Sequence, residues 1–229
     1  MASILFLGFF IGMLHALEAD HVAAVASIAS GEKSVRGIVR HGVVWGMGHT
    51  LTLLAFGGGA VVLGAAMPES MARSLETAVG FMLIFLGGHV LYRLARERVH
   101  FHSHRHHDGP THLHAHSHRG ESRGHDPDQH QHQHPGRLPL RTLFVGMMHG
   151  MAGSAALLVL TAASVGPAPL GLLYLVLFGA GSIIGMAALS AAIAVPLAYT
   201  AKTLTWGSWT LQGMVGLGTM ILGGVVAAG

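Results

Sequence analysis

Cysteine is absent from the 229-residue chain, which excludes a disulfide framework, a thiolate metal site and thiol redox chemistry. Any metal held by this sequence must be ligated by nitrogen and oxygen. Charge is almost as scarce: Asp, Glu, Lys and Arg make up 10% of the chain against 51% hydrophobic residues, and the mean hydropathy is +0.54. A soluble domain carries about 25% charged residues, so the composition points to membrane-spanning helices. No P-loop sequence is present, so the chain does not itself use ATP in that way. The pI of about 9.8 does not imply nucleic acid, because the basic residues lie in loops beside apolar segments, where membrane orientation accounts for them. No nucleic-acid partner is expected. Ahead of the first apolar run there is no Lys or Arg, and Glu18 and Asp20 interrupt that run. It is expected to stay as the first membrane span rather than to be a cleaved signal peptide.

Glycine is abundant, with 33 residues spread through apolar stretches. Gly42/Gly46, Gly146/Gly150 and Gly181/Gly185 are small-xxx-small pairs of the kind that let membrane helices approach closely. Six segments are long enough to cross a hydrocarbon core of about 30 Å. They run approximately over Ser3 to Ala29, Gly37 to Met67, Ala72 to Arg93, Leu140 to Val165, Leu170 to Thr200 and Thr205 to Ala228. With both termini outside, the inner loops hold Lys33, Arg36, Arg40, Arg93, Arg96, Arg98, Arg105, Arg119, Arg123, Arg137, Arg141 and Lys202, leaving only Arg73 outside. The two halves also resemble each other: Phe10-Ile11-Gly12-Met13-Leu14-His15-Ala16 corresponds to Phe144-Val145-Gly146-Met147-Met148-His149-Gly150, a shift of 134, and Gly80/Gly87/Gly88 to Gly216/Gly223/Gly224, a shift of 136. Three spans per half force the halves to enter the membrane in opposite directions. The expected fold is an all-α integral membrane protein of six transmembrane helices in two inverted three-helix repeats, residues 1–98 and 137–229. A disordered His-rich cytoplasmic loop over 99–136 joins them, and the expected location is the cytoplasmic membrane.

The string His15-Ala16-Leu17-Glu18-Ala19-Asp20-His21 puts four ionisable groups at bilayer depth. One Asp at a helix centre costs roughly 2.5 to 3.5 kcal/mol, so these groups are expected to serve a function. Imidazole and carboxylate together suit a divalent transition metal. In a regular helix His15, Glu18 and His21 share a face, but His15 and His21 stand about 9 Å apart along the axis. Two nitrogens on one ion are at most about 4.2 Å apart. Three arrangements stay open: a distorted span, a short relay of ligands, or Asp20 orienting an imidazole from behind. His49, mid-span in Gly48-His49-Thr50, is the next candidate, and His149 is the repeat partner of His15. His89 is expected to line the pathway or pack between helices, and His41 to be solvated.

The loop from Val99 to Gly136 holds 13 of the 19 histidines. His102, His104, His106, His107, His112, His114, His116, His118, His130, His132 and His134 fall in closely spaced runs able to capture metal. With almost no apolar residues, this loop is expected to be disordered without metal.

The His15-x4-Asp20-His21 string resembles the signature of the nickel/cobalt transporter superfamily, and Gly48-His49-Thr50 resembles its second element. Gly146-Met147-Met148-His149-Gly150-Met151-Ala152-Gly153-Ser154 resembles the compact, six-span urease-accessory permease branch. Larger members carry eight spans, an Arg where this chain has Leu14, and a later acidic motif that is missing here. The resemblance implies a non-enzymatic permease for Ni²⁺, with Co²⁺ as the second choice, running inward without a catalytic cofactor. His15, Asp20, His21 and His49 would bind the ion, with Glu18, Thr50, His149 and His89 supporting. Its partners would be the divalent ion, the lipid bilayer and a cytoplasmic metallochaperone. Moving a divalent ion inward through 100 mV releases roughly 4.6 kcal/mol, so no pump is needed. An exporter, a metal-delivery adaptor for urease or hydrogenase, and an intramembrane metallohydrolase based on Glu18 are the alternatives.

Overall fold

The computed structural model describes residues 2–30, 32, 34–64, 68–96, 100–104, 112–116, 139–150, 161–164, 166–203 and 205–229. Side chains are described at these positions except at 2, 100–104, 112–116, 196–203 and 205–208. The first apolar run forms two helices, α1 (Ala2–His15) and α2 (Ala19–Ala29), which meet at 52°. Then come α3 (Val35–Leu63) and α4 (Glu69–Arg96), and after the His-rich loop α5 (Leu140–His149), α6 (Ala168–Thr203) and α7 (Thr205–Ala228). Local sequence sets several of these ends. The Ser34 hydroxyl accepts from the Gly37 amide at 3.0 Å to start α3, and Gly64, at φ +61, ends it in the left-handed conformation that glycine tolerates.

Among the described residues, four helical stretches are long and apolar enough to cross a membrane: Val35–Leu63, Glu69–Arg96, Ala168–Val195 and Trp209–Ala228. The bent pair of α1 and α2 makes a fifth if it is one span. The predicted span from Leu140 to Val165 is represented by α5 and a helical turn at 161–164, and residues 151–160 between them lie outside the described residues. Its outer surface fits lipid as the solvent: Phe6, Leu51, Phe81, Phe85 and Val225 are exposed, whereas His21, His49, His149, Ser182, Ser190 and Thr219 are buried. Among the described residues, then, polar side chains are buried beside an apolar core that includes Trp45, Leu53, Leu83, Leu175 and Met186, while many other large apolar side chains face outward.

In the interior α3 lies along α6 and α4 along α7, while α1 packs on α6 and α5 on α3. Glycines set these distances, and their contacts are reciprocal. A Cβ on Gly181 would run into the Phe9 carbonyl and the Met13 amide. One on Gly48 would run into the Leu143 carbonyl and the Met147 amide, and residues 143 and 147 are those that the expected shift of 134 matches to 9 and 13. In the same way Gly80 abuts Gly223, and Gly87 abuts Gly216. The short α2 is tied to α7 by Ser27 and Thr219, whose hydroxyls are 2.9 Å apart.

Two strands, β1 (His100–His104) and β2 (His112–His116), pair antiparallel, with His100 opposite His116 and His104 opposite His112. The expectation of a disordered loop is corrected over these ten residues. Their His-x-His alternation has the period of two that a strand requires, so paired backbone is compatible with a polar sequence. His106, His107, His118, His130, His132 and His134 lie outside the described residues.

Candidate metal centre

The break between α1 and α2 builds the site. The Leu17 and Glu18 amides bond back to the Leu14 and His15 carbonyls at 2.9 and 3.1 Å, three-residue closures that tighten the end of α1. Glu18 then adopts extended backbone, φ −60 and ψ 145, and α2 starts afresh at Ala19. A new helix N-terminus is thereby placed at the exposed bend, where its partial positive charge favours a carboxylate. Asp20, in that first turn, accepts from the His21 amide through Oδ1 at 2.8 Å.

Three imidazoles are held by carboxylates. His15 Nδ1 lies 2.7 Å from Glu18 Oε1, His21 Nδ1 lies 2.9 Å from Asp20 Oδ1, and His149 Nε2 lies 2.8 Å from Asp20 Oδ2. An ionised carboxylate only accepts, so each of these ring nitrogens carries the proton and donates it. In the neutral ring the other nitrogen then keeps a lone pair for a ligand. Among the described residues His21 Nε2, His149 Nδ1 and both nitrogens of His49 are buried without a hydrogen-bond partner. Orphaned polar atoms are rare in native interiors, and four on three neighbouring rings mark a place suited to a ligand.

Two triads emerge. Ligand atoms of His15, His21 and His49 lie within 4.8 Å of one another, as do those of Asp20, His21 and His149, with His21 common to both. Ring centroids are 4.5 Å apart for His15 and His21, 5.1 Å for His15 and His49, and 4.2 Å for His21 and His149. The bend removes the separation of about 9 Å that a regular helix imposes on His15 and His21. Of the three arrangements left open by the sequence, the distorted span is found, together with Asp20 orienting imidazoles. Glu18, by contrast, is 45% exposed, so the group opens to the surface at the bend.

Not every candidate joins the group. Thr50 donates to the Gly179 carbonyl at 3.2 Å and fastens α3 to α6. His89 lines a separate cavity between α2, α3, α4 and α5. Trp45 is a residue the sequence motifs did not single out. Its indole is fully buried, stacks on His21 at 6.1 Å and lies 5.5 Å from His149. The signal was its position four residues before His49, on the same helical face. Phe178, 5.2 Å from His15, closes the opposite side.

Long apolar helices around a buried His/Asp group with unpartnered imidazole nitrogens define a multi-pass membrane protein with a donor set suited to a divalent transition metal. The chain is 36% identical over 204 residues to the urease accessory protein UreH of Bacillus sp. (strain TB-90), an alignment covering 89% of this chain and 82% of that protein. It belongs to the UreH family, consistent with the urease-accessory branch of the nickel/cobalt transporter superfamily. No family model and no solved structure matches the chain.

Proposed function

We propose that this protein is a permease for Ni²⁺, with Co²⁺ as a second substrate, that carries the ion into the cell through the buried histidine group. The observation that carries this reading is the His15/His21/His49 triad, with buried, unpartnered nitrogens on His21 and His49 and carboxylates behind His15 and His21. Carboxylates in that position fix the tautomer and raise the basicity of the ligating ring. Neutral imidazole is a good ligand for nickel and cobalt. The name of the UreH relative, a urease accessory protein, favours nickel, the metal of urease. A cytoplasmic metallochaperone is the natural recipient. Glu18 gives the ion a carboxylate at the surface before it meets His15, and at this depth an exposed carboxylate calls for a water-reaching cleft rather than lipid.

In this reading the chain has six spans in two inverted repeats, residues 1–98 and 137–229, lies in the cytoplasmic membrane with both termini outside, and keeps the loop over 99–136 inside. Support comes from the exchanged contacts: α1 on α6 and α5 on α3, with Gly181 and Gly48 meeting repeat-equivalent residues. Such reciprocity is what a two-fold axis produces. The helix ends carry the same symmetry, since α1 stops at His15 and α5 at its partner His149. Loop histidines would gather the ion on the inner side. Cells expressing the protein are expected to accumulate radiolabelled nickel, and His15→Ala or Asp20→Asn to reduce uptake to background. Uptake by the variants equal to that of the parent rejects the site. Metal resistance in place of accumulation reverses the direction.

A further inference from the structure

Most buried hydroxyls in this chain find partners. Thr52 and Thr219 donate to carbonyls one turn back, Gly48 at 3.1 Å and Val215 at 2.7 Å, while Ser27 lies 2.9 Å from Thr219 and the Thr142 hydroxyl 2.6 Å from His41 Nδ1. Ser182 and Ser190, both on α6 and fully buried, are the exceptions among the described residues: neither hydroxyl has a hydrogen-bond partner. A buried hydroxyl left unpaired is costly and calls for an explanation. Glycine contacts fix where Ser182 stands. Gly181 and Gly185 turn toward α1, where their Cβ atoms would meet Met13 and Ala16, whereas Gly179 abuts Thr50 and Ile183 abuts Gly46 on α3. At about 100° per residue, Ser182 falls midway between those two directions, in the wedge where α1 and α3 converge on α6. Its level along α1 is bracketed by contacts to Phe9 and Ala16, and its level along α3 by contacts to Gly46 and Thr50, the stretches that carry His15 and His49. One turn before it Phe178 lies 5.2 Å from His15, and one turn after it Met186 packs in the core with Ala16 and Trp45.

We propose that Ser182 is a further donor of the metal group, its hydroxyl oxygen joining the nitrogens of His15, His21 and His49 on the divalent ion. The triad by itself supplies three nitrogens, whereas a divalent transition ion takes four or more ligands. A hydroxyl fits the remaining place. It is neutral, so it adds no charge to a buried site, and it takes over from one water of the ion's hydration shell. With no hydrogen bond to hold it, its oxygen has both lone pairs free for the ion. Ser190 has the same burial and the same unpaired hydroxyl but stands two turns further along α6, beside Gly42 and roughly 12 Å away along the axis. It is the control within the same helix. The donor role rests on the permease reading for the carriage of the ion, though not for its binding.

The test uses the full-length chain with the histidines from 100 to 134 replaced by Asn, so that Ni²⁺ bound by the loop does not mask the central group. Without metal, Ser182→Ala and Ser190→Ala should each leave the melting temperature in detergent unchanged or raised, because each removes an unpaired buried hydroxyl. In calorimetric titration His21→Ala should abolish Ni²⁺ binding. Ser182→Ala should weaken it about tenfold or more, the scale on which a metal site feels the loss of one partner, and Ser190→Ala should leave it unchanged. With Co²⁺ as the probe, the visible absorption bands should shift in Ser182→Ala and stay in place in Ser190→Ala. Equal Ni²⁺ affinity in the two serine variants, or an unshifted Co²⁺ spectrum in Ser182→Ala, overturns the donor while the histidine site stands. A fall in the metal-free melting temperature of Ser182→Ala assigns the hydroxyl to the fold and overturns it too. Ni²⁺ binding that survives His21→Ala overturns both the donor and the histidine site. Binding that depends on Ser182 in a parent chain that moves no Ni²⁺ into proteoliposomes overturns the permease reading, and the donor stands.

Discussion

At the residue scale, Asp20 is the pivot of the site. One oxygen orients His21 and caps the start of α2, and the other reaches His149 across the molecule. Replacing it by Asn keeps the shape but loses the negative charge and an acceptor, so Asp20→Asn should weaken Ni²⁺ binding about 10- to 100-fold. Calorimetric titration of the detergent-solubilised protein measures this, and a binding constant within threefold of the parent contradicts it. Glu18→Gln should cost less in the same titration, because Glu18 holds the single ring of His15 and is half exposed. The donor types were legible in the sequence, since carboxylates at bilayer depth have few other uses. Their division of labour was not. Which carboxylate stands behind which imidazole depends on side-chain directions at a helix end that residue spacing alone does not specify.

At the element scale, the decisive event is the restart of the helix at Ala19. Glu18 in extended backbone brings His15 and His21 together and turns the N-terminus of α2 toward Asp20. Alanine- and leucine-rich flanks give no helix-breaking signal, and the run Ser3 to Ala29 reads as one continuous span. The bend pairs with glycine contacts that fix the neighbouring helices. Gly48 holds α5 close to α3, with His49 and His149 on facing helices, whereas Gly223 holds α7 to α4 away from the site. Leucine at either position overpacks the contact and should cost roughly 1 to 3 kcal/mol of stability. Thermal denaturation in detergent should fall for both. Gly48→Leu should also lose Ni²⁺ affinity, and Gly223→Leu should keep it. Equal affinity in the two variants would show that the spacing of α3 and α5 does not tune the site.

For the whole molecule, the absence of cysteine makes the orientation directly testable. Ser70→Cys, in the exposed first turn of α4, should react with a membrane-impermeant maleimide on intact cells. Ser122→Cys, in the His-rich loop, should react only after the membrane is opened. The reverse pattern would invert the orientation drawn from the positive-inside distribution. The sequence by itself pointed to a membrane protein, excluded thiolate ligation of any metal, and set the expectation that its two halves correspond. Composition, hydropathy runs and motif spacing are properties of the chain that survive without coordinates. Only the tertiary structure decided that the first run breaks at Glu18, that His149 meets Asp20, and that Trp45 stands against the cluster. These depend on contacts between helices far apart in sequence, where glycine lets backbones touch, and on a helix start whose partial positive charge favours the Asp20 carboxylate.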